Sequence, residues 1–458
     1  MQSAISNDNL PKSMRYGLMS SNAVQAEASL ARYSSVNGSS NFSPTGSNEI
    51  RIKVKANGFL ETSKHYLSFT VTGATANSNV DTHAGSFFDR VTIEANGNVV
   101  EQIQSYGLYN SIRQTYNCPF DKIFKNAAEA GAGQLEFKNQ AADAGADDGK
   151  IIKVRPGSLG EGITATHSKV FCIQLESGLL LNHHAKALPN NLVELDIVLR
   201  LAGNYQALMA ATGQDPSYTI SDPALYCPVY QILNGDVMAS YNQVVASEGV
   251  MWSGDTCKTY INSMTNGAGT KNLQINDRSL SCKGLVTAFR DEGVDSAINK
   301  YANGAYGFQD GTGTITSYKY LIGSKNYPQS DVNISTATDG LNVGRVSEET
   351  LKALAKHGQK YSEGTVDRHQ LVGDILDLYA SATDAASTDV PKGLISVDLK
   401  KFSDDGLRMI GLNTAANSSP NTLEITHTAF AGALSATTFA IVEVFFQMSP
   451  TGSLTSVM

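Results

Sequence analysis

The chain has 458 residues, too many for one compact domain of ordinary size, and 41% of them are apolar, enough for a sizeable core. Only 17% are charged, and Ser, Thr, Asn, Gln and Gly take their place, which suits a surface largely covered by neighbours. A net charge of −8 and the lack of any Lys/Arg cluster speak against direct, phosphate-neutralising contact with nucleic acid, and no sequence-specific binding of DNA or RNA is expected.

Residues 1–47 are polar and rich in Ser, Asn, Ala and Gly. A short helix is predicted from Asn22 to Tyr33, with Ala23, Ala26, Ala28 and Ala31 but no strong apolar stripe. Such an arm buries little by itself and is expected to be disordered or ordered by a partner. Asp8, Lys12 and Arg15 come early and no apolar core segment follows, so a secretory signal is not expected.

The pattern then changes abruptly. From Glu49 to Lys55, Ile50, Ile52 and Val54 alternate with Arg51, Lys53 and Lys55, which predicts a strand with one buried face. Tyr66 to Thr72 repeats this with Leu67, Phe69 and Val71 inward. Phe88 to Ala95, Asn96-Gly97 and Asn98 to Ile103 read as a hairpin, because Asn-Gly supplies the positive φ angles of a type I′ turn. Ser105 to Tyr116 is predicted as a short helix and Asn126 to Lys150 as a long exposed loop. Strands resume at Val170–Leu175, Leu192–Leu201 and Tyr226–Leu233, and Asp236 to Glu248 reads as a helix closing the first half.

The second half has the same texture. Strands are predicted at Thr256–Ile261, Leu285–Arg290, Ser317–Gly323, Leu394–Lys400, Leu423–Thr428 and Phe439–Met448, separated by long polar loops at 262–283, 291–315 and 403–422. Glu348 to His357 is predicted as a helix capped by Ser347 and stopped at Gly358, and Asp367 to Ala382 as another. The apolar run Ala429–Met448 contains Thr437, Thr438 and Glu443, so strands are expected there rather than a membrane span. Two successive sets of short alternating strands predict two β-sandwiches or barrels in tandem.

Residues that could carry chemistry do not converge. Cys118, Cys172, Cys227, Cys257 and Cys282 are odd in number and form no Cys-x-x-Cys pair, so reduced, core-filling thiols are expected. Adjacent His183 and His184 point to opposite faces if extended, and His65, His83, His167, His357, His369 and His427 show no ligand spacing. Gly145 to Lys150 resembles a phosphate loop but is one residue short between its glycines, carries Asp147 and Asp148, and has Ile151 where a magnesium ligand belongs. Asp143, Asp147 and Asp148 do not match an EF-hand, and Gly311 to Thr314 lacks the strand–loop–helix context of a dinucleotide site. No Gly-x-Ser-x-Gly elbow occurs. Trp252, the sole tryptophan, is expected in a core or subunit interface rather than on a sugar platform. Asn-x-Ser triplets at Asn37, Asn41, Asn333 and Asn417 read as chance occurrences. No catalytic, cofactor-binding or metal-binding residue is assigned, and no enzymatic activity is expected.

Several segments in order carry a family resemblance. They are NEIRIKVKANGFLETSKHYLSFTVTG, SFFDRVTIEANGNVVEQIQSYGLYNSI, KALPNNLVELDIVLRLA, ALYCPVYQILNGDVMASYNQ, YKYLIGSKNYPQS, and LISVDLKKF with NTLEITHTAF behind it. Across residues 48 to 448 they resemble the double-jelly-roll major capsid proteins of tailless icosahedral DNA viruses, the virophage and polinton-like type. The resemblance implies a mainly β chain of two tandem eight-stranded jelly rolls with a few short helices. The divisions would be an arm at 1–47, a first roll with linker helix at 48–248, and a second roll with C-terminal tail at 249–458. Each roll would close its own core. Three chains would form a trimeric capsomer of pseudo-hexagonal outline, placed in the virion shell among neighbouring capsomers, penton and minor capsid proteins. In relatives with an internal lipid membrane the arm lies near lipid, where Lys12, Arg15 and Arg32 would face it. The competing readings are a carbohydrate-binding or adhesin-like β-sandwich, such as a virion spike or lectin, and a hydrolase built on a jelly roll.

Overall fold

Asn96 and Gly97 take φ angles of 50° and 82°, and the hairpin they join is present as the sequence marks it. In the computed structural model the described residues are 25–117, 168–293, 303, 313–354 and 393–458, apart from 74–78, 82, 182–186, 192, 210–214, 337–339, 342–343, 402–408, 418 and 450–452.

The first half builds on eight strands: β1 (Ala26–Ser34), β2 (Glu49–Val54), β3 (Tyr66–Gly73), β4 (Phe88–Ala95), β5 (Asn98–Gln104), β6 (Ser168–Ile173), β7 (Leu195–Leu201) and β8 (Tyr218–Ile232). They pair antiparallel in the orders β1–β8–β3–β6 and β2–β7–β4–β5. The second half supplies β9 (Val250–Met264), β10 (Gly269–Ile275), β11 (Cys282–Asp291), β12 (Ile315–Ile322), β13 (Lys325–Asn333), β14 (Leu394–Asp398), β15 (Asn421–His427) and β16 (Leu434–Met448). Their orders are β9–β16–β11–β14 and β10–β15–β12–β13. The second pair of orders is the first with every strand moved on by the same step. Short strands at 41–42, 59–60 and 188–189 extend the first of these sheets and Leu454–Val457 extends the third, but each sheet has four principal strands. Two antiparallel sheets of four principal strands wound this way make a jelly roll, and the chain contains two in tandem.

Among the described residues three longer helices complete the frame. Helix α1 (Tyr106–Asn117) follows β5, α2 (Gly235–Glu248) joins the rolls, and α3 (Gly344–Leu354) follows β13. Asn234 caps α2 by accepting from the backbone N–H groups of Asp236 and Val237. Helix α3 begins before the predicted start, so Ser347 lies inside it rather than at its cap. His357 and Gly358, the loop at 126–150 and the helix predicted at 367–382 lie outside the described residues.

Three expectations are overturned. Residues 26–34 are not helical but form β1, paired with β8 from Ala26↔Ile232 to Ser34↔Ala224. That stretch is ordered by its own chain, and without it the first sheet has no first strand. The polar connection 262–283 likewise contains β10, and Lys325–Asn333, where the alternation predicts no strand, is β13. Both are edge strands, which need no apolar alternation.

The core also differs from two separate interiors. Leu285, Phe289, Tyr318, Tyr320, Leu423 and Ile425 fill the second roll. The first-roll core includes Ile50, Ile52, Phe69, Phe88, Phe171, Ile197 and Leu199. It runs on without a break into Trp252, Val286, Phe439, Ile441 and Phe446 of the second roll. The rolls are joined by an apolar seam.

Candidate assembly surfaces

The residues best suited to chemistry are held in structural roles. His65 is buried, its Nδ1 bonded to the Thr62 carbonyl, while Nε2 accepts from the Leu175 N–H at 2.9 Å. Burial lowers its pKa to about 4, and burial lowers that of His83 to about 3. His83 Nδ1 accepts from the Gly85 N–H at 2.9 Å and so caps the short turn at Ala84–Phe87. Cys227, Cys257 and Cys282 are buried free thiols, Cys172 is half-buried, and burial pushes the Cys227 thiol up to about 12. Trp252 is 5% exposed, packed near Phe446 at 6.5 Å between ring centroids. Among the described residues no group of three or more His, Cys, Asp or Glu side chains is placed to hold a metal ion. His167, His183, His184, His357, His369, Cys118, Gly311 and the segment from Asp143 to Lys150 lie outside the described residues.

Buried carboxylates are likewise tied to backbone. Glu101 accepts from Ser177 Oγ at 2.6 Å and from the N–H groups of Gly178 at 2.8 Å and Leu179 at 3.2 Å. Glu443 accepts from the N–H groups of Met409 at 2.7 Å and Ile410 at 3.4 Å. Asp277 accepts from Ser279 Oγ at 2.6 Å and Thr414 Oγ1 at 2.7 Å. A carboxylate engaged by several donors fixes a loop, and its lone pairs are already committed.

The seam shows how one roll recognises another. The Tyr109 ring on α1 lies 5.6 Å from Phe439 on β16. Thr259 on β9 donates to the Gln104 carbonyl at the end of β5, at 2.9 Å. Asn303, in the connection from β11 to β12, crosses to the first roll. Its N–H donates to Asp81 at 2.6 Å and its Nδ2 to the Gln206 carbonyl at 2.8 Å. Lys283 is almost fully buried and donates to both oxygens of Asp255, at 3.0 and 2.9 Å. The seam therefore covers the β9 and β16 part of the outer side of the β9–β16–β11–β14 sheet with α1 and the β5 edge, while α3 packs over β14 and β11, with Thr350 bonded to the Leu394 carbonyl. A signal for it was present in the sequence: β11 and β16 are apolar or buried at nearly every position, the pattern of a sheet covered on both faces.

The outward faces of the first roll contrast. On β2–β7–β4–β5, Arg51 pairs with Glu94 at 3.2 Å and Asp196 at 3.7 Å, and Lys53 and Lys55 pair with Glu194 at 2.6 and 3.2 Å. On β1–β8–β3–β6 the outward side chains are largely uncharged. Tyr66 and Tyr226 stack there at 4.9 Å. Arg32 pairs with Asp222 at 2.6 Å and donates through Nε to Tyr226 at 3.1 Å.

These features define a double jelly roll whose two halves associate through a sheet face. No protein-family model matches the chain, and no curated protein matches it in sequence. Among solved structures, the chain is similar to PBCV-1 VP54, in a structure fitted into a cryo-EM reconstruction of the virophage Sputnik. The TM-score is 0.57 and the identity 11%, over 96% of this chain and 99% of that one. It is similar also to the major capsid protein of mavirus, with a TM-score of 0.54 and 10% identity, over 100% of this chain and 95% of that one. The chain has the double-jelly-roll fold of these viral major capsid proteins.

Proposed function

We propose that the chain is a major capsid protein, a structural and non-catalytic component of an icosahedral DNA virus shell. The carrying observation is the repeated eight-strand winding: two whole jelly rolls in one chain, matched end to end by solved capsid proteins. The locked buried carboxylates and histidines support it, because they leave the polar interior committed to holding loops. In this reading three chains form a capsomer of pseudo-hexagonal outline, which meets neighbouring capsomers, penton and minor capsid proteins in the virion, with an internal lipid membrane beneath the shell as a further partner. In this reading the arm is 1–47, the first roll with its linker helix 48–248 and the second roll 249–458, a division supported by the end of α2 at Glu248 and the start of β9 at Val250. A lectin or adhesin would present aromatic platforms, and burial of Trp252 weighs against that alternative.

The test is the mass of the purified protein by light scattering after size exclusion, with negative-stain imaging. A hexagonal particle near three times 48.8 kDa is expected. A monomer at all concentrations overturns the reading.

A further inference from the structure

Strand β6 ends the β1–β8–β3–β6 sheet. It pairs with β3 from Leu67↔Ile173 to Thr72↔Ser168, and among the described residues no strand pairs with its other side. Strand β14 holds the same place in the second roll, and its backbone is engaged beyond its own ladder. The Leu394, Ile395 and Ser396 carbonyls accept from Thr350 Oγ1 at 3.2 Å, Tyr320 OH at 3.0 Å and Tyr318 OH at 3.2 Å, and α3 lies over the strand. Helix α1, which follows β5 as α3 follows β13, turns toward β16 instead, through Tyr109 and Phe439. An open strand edge is a template for an extended segment of another chain.

One residue of β6 is out of keeping with its neighbours. Lys169, Phe171 and Ile173 share the inward side of the strand, and Lys169 is opposite the fully buried Val71. The Lys169 ammonium is buried without a hydrogen-bond partner and lies 5.4 Å from the centroid of the Phe171 ring. Burial lowers its pKa, as expected of a charge with no carboxylate to answer it. For the fold alone an apolar side chain would serve better here.

We propose that Lys169 guards the open edge of β6, a charge turned inward that keeps an extended segment of a second copy of this chain from adding to the sheet. The side chain is half-buried and enters the roll at the sheet margin, with water at the open edge beside it. A strand laid along β6 would close that margin and hold the ammonium in an apolar site with neither water nor a counter-charge. The cost falls more heavily on the strand-added state than on the single chain. It opposes the backbone hydrogen bonds and the exposed Val170, which would otherwise favour addition. The inference goes beyond the capsid reading and does not rest on it.

The test compares the wild-type protein with Lys169→Met and Lys169→Arg. Met keeps the unbranched length and removes the charge, whereas Arg keeps the charge. The denaturant midpoint of Lys169→Met should equal or exceed that of the wild type. Light scattering of the same folded variant should show species growing with time to many times the wild-type mass, while Lys169→Arg stays at that mass. A folded Lys169→Met protein that keeps the wild-type mass at every concentration overturns the guard. A midpoint below the wild type overturns it too, because aggregation would then follow from unfolding. Growth of Lys169→Arg alongside Lys169→Met would rule out the charge as the cause. None of these outcomes touches the capsid reading, which the mass of the wild-type protein tests by itself.

Discussion

Gly178 and Gly254 meet backbone to backbone across the seam between the rolls. A Cβ built on Gly254 would collide with the Gly178 carbonyl, and one on Gly178 would lie 3.0 Å from the Asp255 carbonyl. Two glycines far apart in sequence thus let the loop after β6 lie flat on β9, and the apolar seam closes around them.

Gly254→Ala tests that contact. The obstructing atoms are backbone and cannot rotate away, so the seam must open locally. A loss of about 3 kcal/mol is expected, the upper end for overpacking a well-packed site. Gly38→Ala, with nothing within 4 Å of its new Cβ, is the control and should change stability by less than about 0.5 kcal/mol. Denaturant midpoints of the two variants check this, and equal midpoints would mean the seam yields freely.

The second test removes β1. A chain beginning at Ser35 loses the nine-residue strand whose partners run from Ile232 to Ala224 on β8. It also exposes the hydrogen-bonding edge of β8 and strips the packing of Ala31 and Tyr33 from the first-roll cluster. Loss of soluble folded protein is expected, read by yield and circular dichroism. A folded product would show that this segment is a dispensable arm.

The helical reading of residues 22–33 fails for a physical reason. Ala26, Ala28, Leu30 and Ala31 favour a helix by local propensity, and β1 lies at a sheet edge where most positions are exposed, so no alternation forms. Pairing with β8 overrides that propensity. The same holds for the edge strands β10 and β13, whereas Ile50, Ile52 and Val54, with one wet face and one dry, are legible directly. The Asn96-Gly97 turn is legible because the residue types alone demand its φ angles. The assembly faces were not legible, because alternation shows that a face is buried or exposed in the sheet but not which distant surface covers it. The continuous burial along β16 does announce a second cover.

Acid should weaken the fold through His65 and His83. Burial holds their folded pKa values at about 4 and about 3, below the ordinary 6.5, so the folded state binds fewer protons than the unfolded chain between those limits. Stability is full above pH 6.5 and falls as pH drops toward the folded values, by on the order of 3 kcal/mol per histidine at pH 4. Burial is the cause, and in His65 a proton on Nε2 would in addition face the Leu175 N–H that now donates to it. His65→Gln should lower stability at pH 7 and flatten the slope of the denaturation midpoint between pH 6.5 and 4. An unchanged slope would assign the acid sensitivity elsewhere.

Glu101 gives the sharpest test of how the seam is held. It lies on β5, and its carboxylate gathers Ser177 Oγ and the N–H groups of Gly178 and Leu179, the loop that Gly254 receives. Glu101→Gln preserves shape but replaces one acceptor oxygen by an NH2 group, which then points at a backbone donor and leaves it unsatisfied in a buried site. The expected cost is about 2–3 kcal/mol, within the range for stranding a buried donor beside a lost charge-assisted bond. Hydrogen exchange separates a local effect from a global one. If Glu101 positions the loop, the amides of Gly178 and Leu179 should exchange faster in the variant while those of β12 and β15, in the far sheet of the second roll, keep their protection. Uniform acceleration across both rolls would mean that Glu101 supports the whole fold and does not act on the seam in particular.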